Sequence, residues 1–172
     1  LDRNGTWSRT EIMKGDPAEW PRGGISDAAV GRMGGKRFIV TNEPFHGNQV
    51  VVYVQTADGG WPRNVIETTI NNSHSLVLVD SDGDGTSEIV VLSDSAGVFV
   101  FKADGSEWND ADSNPKTIAP YIAVPGVTWA GPPAFGNLDA SPDIEIVAAA
   151  TTGELFAWKA NDSDLVDGDA NS

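Results

Sequence analysis

The chain has 172 residues, 40% of them hydrophobic, and carries 25 Asp and Glu against 11 Lys and Arg, for a net charge of −14. That apolar share supports one packed core rather than a disordered chain. The acidic balance excludes the basic face that a nucleic-acid binder needs, no apolar run is long enough to span a bilayer, and the lack of cysteine excludes disulfides, thiolate catalysis and cysteine-held zinc.

Read in chain order, the sequence repeats itself. "GTWSRTEI" from Gly5 and "GGWPRNVI" from Gly59 share Trp-x-Arg-x-x-Ile at an offset of 54, so residues 1–26 read as the end of a partial repeat. Residues 27–72 form the first full unit, with strands "FIVT" and "VVVYV" and the turn "ADGG". Residues 73–126 form the second, and residues 127–163 repeat it at an offset of 57. Asn137 falls on Asp80, Asp139 on Asp82, Ser141 on Asp84 and Glu145 on Glu88. Both units then give a β-branched or aromatic strand, a small polar turn, a second strand and a lysine-alanine turn ("KADGS", "KANDS"). Residues 164–172 are an acidic tail, in which Asp167, Asp169 and Asn171 read either as a flexible end or as the opening of a dockerin-like module.

No sustained helical period occurs, and 19 glycines and 10 prolines disfavour long helices. Several short strands in each repeat of about fifty residues predict an all-β fold, a propeller-like array of antiparallel blades across residues 1–172. About three repeats fall short of the four to eight blades of a closed propeller. The expectation is therefore part of a larger ring, or a ring completed by another chain or by self-association.

The pattern D-x-D-x-D-G-x-x-E-I-V, a turn, then V-F-V-F-K-A-D-G resembles the FG-GAP or VCBS-type repeat of integrin-α-like β-propellers. "PPAFGNLDASPDIEIV" is similar to the lead-in of that family. The resemblance covers most of the chain and is tight in the second and third units. It implies a secreted or cell-surface protein with calcium in its blade loops.

The acidic loops carry the candidate chemistry. Calcium takes six to eight oxygen ligands, and alternating aspartates in a tight loop turn their carboxylates into one hollow. In the first loop the expected metal ligands are Asp80, Asp82 and Asp84, the carbonyl of Thr86, and Glu88, with Gly85 permitting the bend. Glu88 is ninth counting from Asp80, whereas an EF-hand closes at the twelfth position, here Val91 inside a strand. The loop is thus a β-loop site rather than an EF-hand. The other reading is a solvated acidic turn. In the second loop the candidates are Asn137, Asp139, Ser141, the carbonyl of Asp143, and Glu145. Fewer charges predict weaker binding, and a metal-free loop held by local hydrogen bonds is the alternative. In the first repeat Arg32, Gly34 and Phe38 replace the acidic residues, so no ion is expected there.

His46 and His74 are the only histidines and have no metal-binding spacing. No nucleophile elbow or phosphate loop is present. Trp7, Trp61 and Trp108 recur at matching positions and read as packing residues. Trp158 reads as core, while Trp20 and Trp129, in Pro/Gly-rich loops, are the candidate ligand-stacking surface. No residue is assigned a catalytic role. The function expected is an extracellular calcium-binding module for adhesion or for a protein or polysaccharide ligand. The alternatives are the propeller of a secreted polysaccharide-degrading, lyase-like enzyme, or a surface or filament scaffold.

Overall fold

The computed structural model describes residues 4–13, 24–43, 48–70, 73–81, 83–94, 97–108, 120, 122–140 and 144–159. These residues are all-β, with no helix among them. The first sheet is formed by β1 (Asp27–Met33), β2 (Lys36–Glu43), β3 (Gln49–Val54) and β4 (Arg63–Glu67). The second is formed by β5 (Ser73–Val79), β6 (Glu88–Ser93), β7 (Gly97–Phe101) and β8 (Ile122–Ala123). The third is formed by β9 (Ala134–Gly136), β10 (Glu145–Ala149) and β11 (Leu155–Trp158). Each strand pairs antiparallel with its neighbours in the chain, so each sheet is a simple meander. The described residues do not close into a ring.

Side-chain alternation explains how the sheets pack. Successive strand residues point to opposite faces, yet all six residues of β6 are buried. Ile89 and Val91 join Phe99 and Phe101 against Phe38, Val40, Val50 and Val52 of the first sheet. Val90 and Leu92 join Val98 and Val100 against Trp129, Ile146, Ala148 and Trp158 on the other side. The second sheet is thus the shared layer of two cores, which is why its strands are unbroken β-branched and aromatic runs rather than alternating ones.

The connections place the loops of interest. β1 and β2 are joined by Gly34 and Gly35 alone, both at positive φ (54° and 78°), which is the backbone a two-residue hairpin turn requires. The corresponding connections in the second and third sheets, residues 80–87 and 137–144, are longer and carry the acidic residues. The first loop is tied to the glycine hairpin. The Ser87 amide donates to the Arg32 carbonyl at 2.9 Å, and the Arg32 amide to Ser87 Oγ at 3.4 Å.

The tryptophans divide differently from expectation. Trp158 is core and Trp108 packs on the second core, as read from the sequence. Trp7, however, is 80% exposed rather than packed.

Leu92 and Leu155 differ in burial, 1% against 72% exposed. In urea unfolding, Leu92→Ala is expected to cost about 3 kcal/mol, and Leu155→Ala less than about 0.5 kcal/mol. Equal costs would contradict the packing described.

Candidate metal centre

The two acidic loops are built on the same scaffold. In the first, Glu88 opens β6 with 2% of its surface exposed. Its Oε2 accepts hydrogen bonds from the Ser81 amide at 2.8 Å and from Ser81 Oγ at 2.7 Å. In the second, Glu145 opens β10 with no exposed surface, and its Oε2 accepts from the Leu138 amide at 2.7 Å. Ser81 and Leu138 are themselves 57 residues apart, so the repeat preserves a contact as well as a spelling. Each glutamate folds back across its loop, as a closing residue must. One of its oxygens is used on the loop backbone.

The aspartates of the first loop do the same. Asp80 Oδ2 accepts from the Gly85 amide at 3.0 Å, and Asp84 Oδ1 from the Thr86 amide at 2.6 Å. Gly83 and Gly85 supply the positive φ angles (75° and 83°) that let the chain double back. These bonds hold the loop but leave a debt of charge. Asp80 Oδ1 and Glu145 Oε1 are buried and have no hydrogen-bond donor among the described residues. A buried carboxylate oxygen without a donor is costly unless a cation or a proton meets it. Oxygen donors from Asp and Glu suit a hard cation such as calcium, so the residues present fit that ion. Asp82, Ser141 and Asp143 lie outside the described residues. Among the described residues, no three His, Cys, Asp or Glu gather as a metal-holding group. Asn137 is exposed at the loop's start, and Asp139 Oδ2 lies 3.1 Å from Lys159 Nζ.

The ligand-surface candidates are placed as follows. Trp20 and the tail residues Asp167, Asp169 and Asn171 lie outside the described residues. Trp129 is 6% exposed, so its ring faces the core rather than a ligand. A bridge to Ala150 draws its loop onto the third sheet. Its indole N–H donates to the Ser93 carbonyl at 3.1 Å, and its ring meets Phe156 and Trp158 edge-on. A Pro/Gly-rich context reads as exposed loop, and only the tertiary bridge reverses that.

A second polar cluster escaped the sequence reading. Glu43 is buried at the end of β2. Its Oε1 accepts from Thr41 Oγ1 at 2.7 Å and from the Tyr53 hydroxyl at 2.6 Å. Its Oε2 accepts from Arg63 Nε at 3.0 Å and Nη2 at 2.8 Å. Arg63 is the arginine of the Trp-x-Arg-x-x-Ile element, and an acidic residue inside the run "FIVTNE" was the available signal. Burial first, and then the Glu43 carboxylate, push the Tyr53 phenol well above its ordinary value of about 10. Burial opposes the Arg63 charge, but its hydrogen bonds and attraction to Glu43 prevail and raise its pKa. Beside this cluster a cavity of about 250 Å³ is lined by Ile12, Met13, Ile25, Ile39, Thr41 and Tyr53, among others.

No protein-family model matches this chain, and no solved structure matches it. The chain is similar to an aldos-2-ulose dehydratase of Phanerodontia chrysosporium, at 35% identity over 103 residues. The match covers 49% of this chain and 11% of that relative, so it represents a small part of a much longer protein.

Above pH 10 the unfolded chain loses the Tyr53 proton while the folded chain keeps it. The stability this group contributes is therefore present below pH 10 and is lost as pH rises further. Thermal melts from about pH 9 to pH 11 should fall more steeply for the wild type than for Tyr53→Phe. Parallel profiles would contradict the buried tyrosine.

Proposed function

We propose that this chain is a section of a calcium-stabilised β-propeller of the FG-GAP or VCBS type, working outside the cell as a binding or adhesion module. The observation that carries the proposal is Asp80 Oδ1, buried and without a donor among the described residues, in a loop where Asp80 Oδ2, Asp84 Oδ1 and Glu88 Oε2 already accept backbone amides. In the first loop Asp80, Asp82, Asp84, the Thr86 carbonyl and Glu88 would hold the ion. In the second, Asn137, Asp139, Ser141, the Asp143 carbonyl and Glu145 would do so. Bound calcium supplies charge neutralisation and crosslinks the loop; no reaction step is assigned to it. Calcium modules of modest affinity suit media where the ion is plentiful, with dissociation constants of about 10⁻⁴–10⁻³ M outside cells. Secretion or surface display is proposed along with the calcium reading, and a dissociation constant in that range would fit it.

The propeller reading rests on the faces at the end of the array. Val147, Ala149, Leu155 and Ala157 stand at the repeat positions of Val90, Leu92, Val98 and Val100. In the second sheet those positions are covered by the third. In the third sheet Leu155 and Ala149 are exposed. A further blade placed there would repeat the interface already present. Such a blade could come from more of the same protein or from another copy.

A second reading is favoured by the similarity to a protein named as an aldos-2-ulose dehydratase. On that reading the array is part of an enzyme acting on a sugar, and its loops contribute to sugar recognition. Among proteins of adhesive or scaffolding role, the ligand would instead be a protein or polysaccharide. Calorimetry of the chain with an aldos-2-ulose, a neutral polysaccharide and an acidic polysaccharide separates these. Binding confined to the small sugar favours the enzyme reading, and binding confined to the polymers favours adhesion.

The calcium proposal is tested by calorimetric titration and matched melts of the wild type and Asp80→Asn. At a calcium concentration about 100 times the dissociation constant, the wild type should gain about 2.7 kcal/mol. The variant should lose most of that gain. Neither heat nor a melting shift in the wild type would overturn the proposal.

A further inference from the structure

In the second loop a positive charge is already part of the chain. Lys159 follows β11, and its Nζ lies 3.1 Å from Asp139 Oδ2. The ladder register explains how it arrives there. Ile146 pairs with Trp158, so the next pair outward sets Lys159 opposite Glu145, and residues directly opposite share a face of the sheet. Asp139, Glu145 and Lys159 are thereby brought to the same end of the third sheet. Glu145 is fully buried, with Oε2 on the Leu138 amide and Oε1 without a donor. One carboxylate of the loop is therefore neutralised from within, and one still wants a cation. The Lys159 side chain is 37% exposed, so its ammonium has an open path to water.

We propose that Lys159 is a tethered counter-cation of the second loop, competing with calcium for Asp139. The inference rests on the reading of the loops as calcium sites and adds a division of labour between them. An ammonium and a calcium ion cannot both sit against the same carboxylate without repulsion. Calcium must displace the lysine head into solvent before Asp139 turns to it. Asp139 is thus held without calcium, at the cost of affinity when calcium is present. The first loop has three aspartates and a glutamate in the corresponding stretch and depends more heavily on the ion. A lysine stands at the equivalent place there too, Lys102, opposite Glu88 by the Ile89–Phe101 register. The heavier carboxylate load of that loop leaves more charge than one lysine can balance.

The test uses the full chain with the first loop silenced by Asp80→Asn. Calcium is titrated by calorimetry with Lys159 intact and with Lys159→Gln, and melts are run in chelator. Lys36→Gln serves as the control for a unit change in net charge, since Lys36 is exposed at the start of β2, in the first sheet. Lys159→Gln is expected to tighten calcium binding about three- to tenfold and to lower the chelator melt, whereas Lys36→Gln changes neither beyond error. Equal affinity with and without Lys159 overturns the proposal. So does an absence of calcium binding at the second loop in both backgrounds while the unsubstituted protein binds calcium at the first. If the unsubstituted protein binds no calcium at all, the calcium reading itself fails and the competition falls with it.

Discussion

The structure depends on one packing constraint: the second sheet is apolar on both faces and must be covered on both. β6 has no polar face to offer water. A sheet of this kind is stable only as the filling between two others, and each neighbour then inherits the same problem on its far side. The first and third sheets solve it toward the second with Phe38, Val40, Val50 and Val52 and with Trp129, Ile146, Ala148 and Trp158. The repeat is therefore a packing rule as much as a sequence pattern. It also gives the array an outward face, at Ala149 and Leu155, that is chemically like the buried ones.

The second constraint is charge. Short strands need tight connections, and in two of the sheets the chain fills those connections with carboxylates. Among the described residues, acidic side chains are met in three ways. Glu43 is answered by Arg63 with hydroxyls from Tyr53 and Thr41, a complete shell of side-chain donors. Glu88 and Glu145 are answered in part by loop amides. Asp139 is answered by Lys159. Among the described residues, the buried carboxylate oxygens left without a donor are Asp80 Oδ1 and Glu145 Oε1. On the function proposed above, a hard cation would close that gap and crosslink the strands that flank the loop. Because the Ser87 amide and hydroxyl also bond the Arg32 backbone, order in the first loop is shared with the neighbouring sheet.

Much of this was legible in the residues. β-branched and aromatic runs such as "VVVYV" and "VFVF" announce strands, because such side chains fit a pleated, buried surface. The 57-residue offset located both loops and paired Glu88 with Glu145, and the matching bonds to Ser81 and Leu138 show that the pairing is physical. The loss of the acidic loop from the first repeat was also readable, in Arg32, Gly34 and Phe38 at the positions of the acidic residues. Other features were hidden because they depend on contacts between distant parts of the chain. Trp129 sits in a stretch that local rules assign to the surface, and only its bridge to Ala150 carries it inward. The Glu43 cluster draws on β2, β3 and β4, so its donors are separated in sequence by up to 20 residues. Trp7 shares a motif with Trp61, yet it stands 80% exposed, so the shared spelling does not carry the packing with it.

The central claim is that the first acidic loop is built around a cation. The most direct measurement is a crystal structure grown in calcium, with anomalous diffraction collected to locate the ion. The account predicts an anomalous peak bonded to Asp80 Oδ1 at about 2.4 Å, with Glu88 still closed on Ser81. A loop in which Asp80 Oδ1 is hydrogen-bonded only to water, with no peak beside it, would contradict the account.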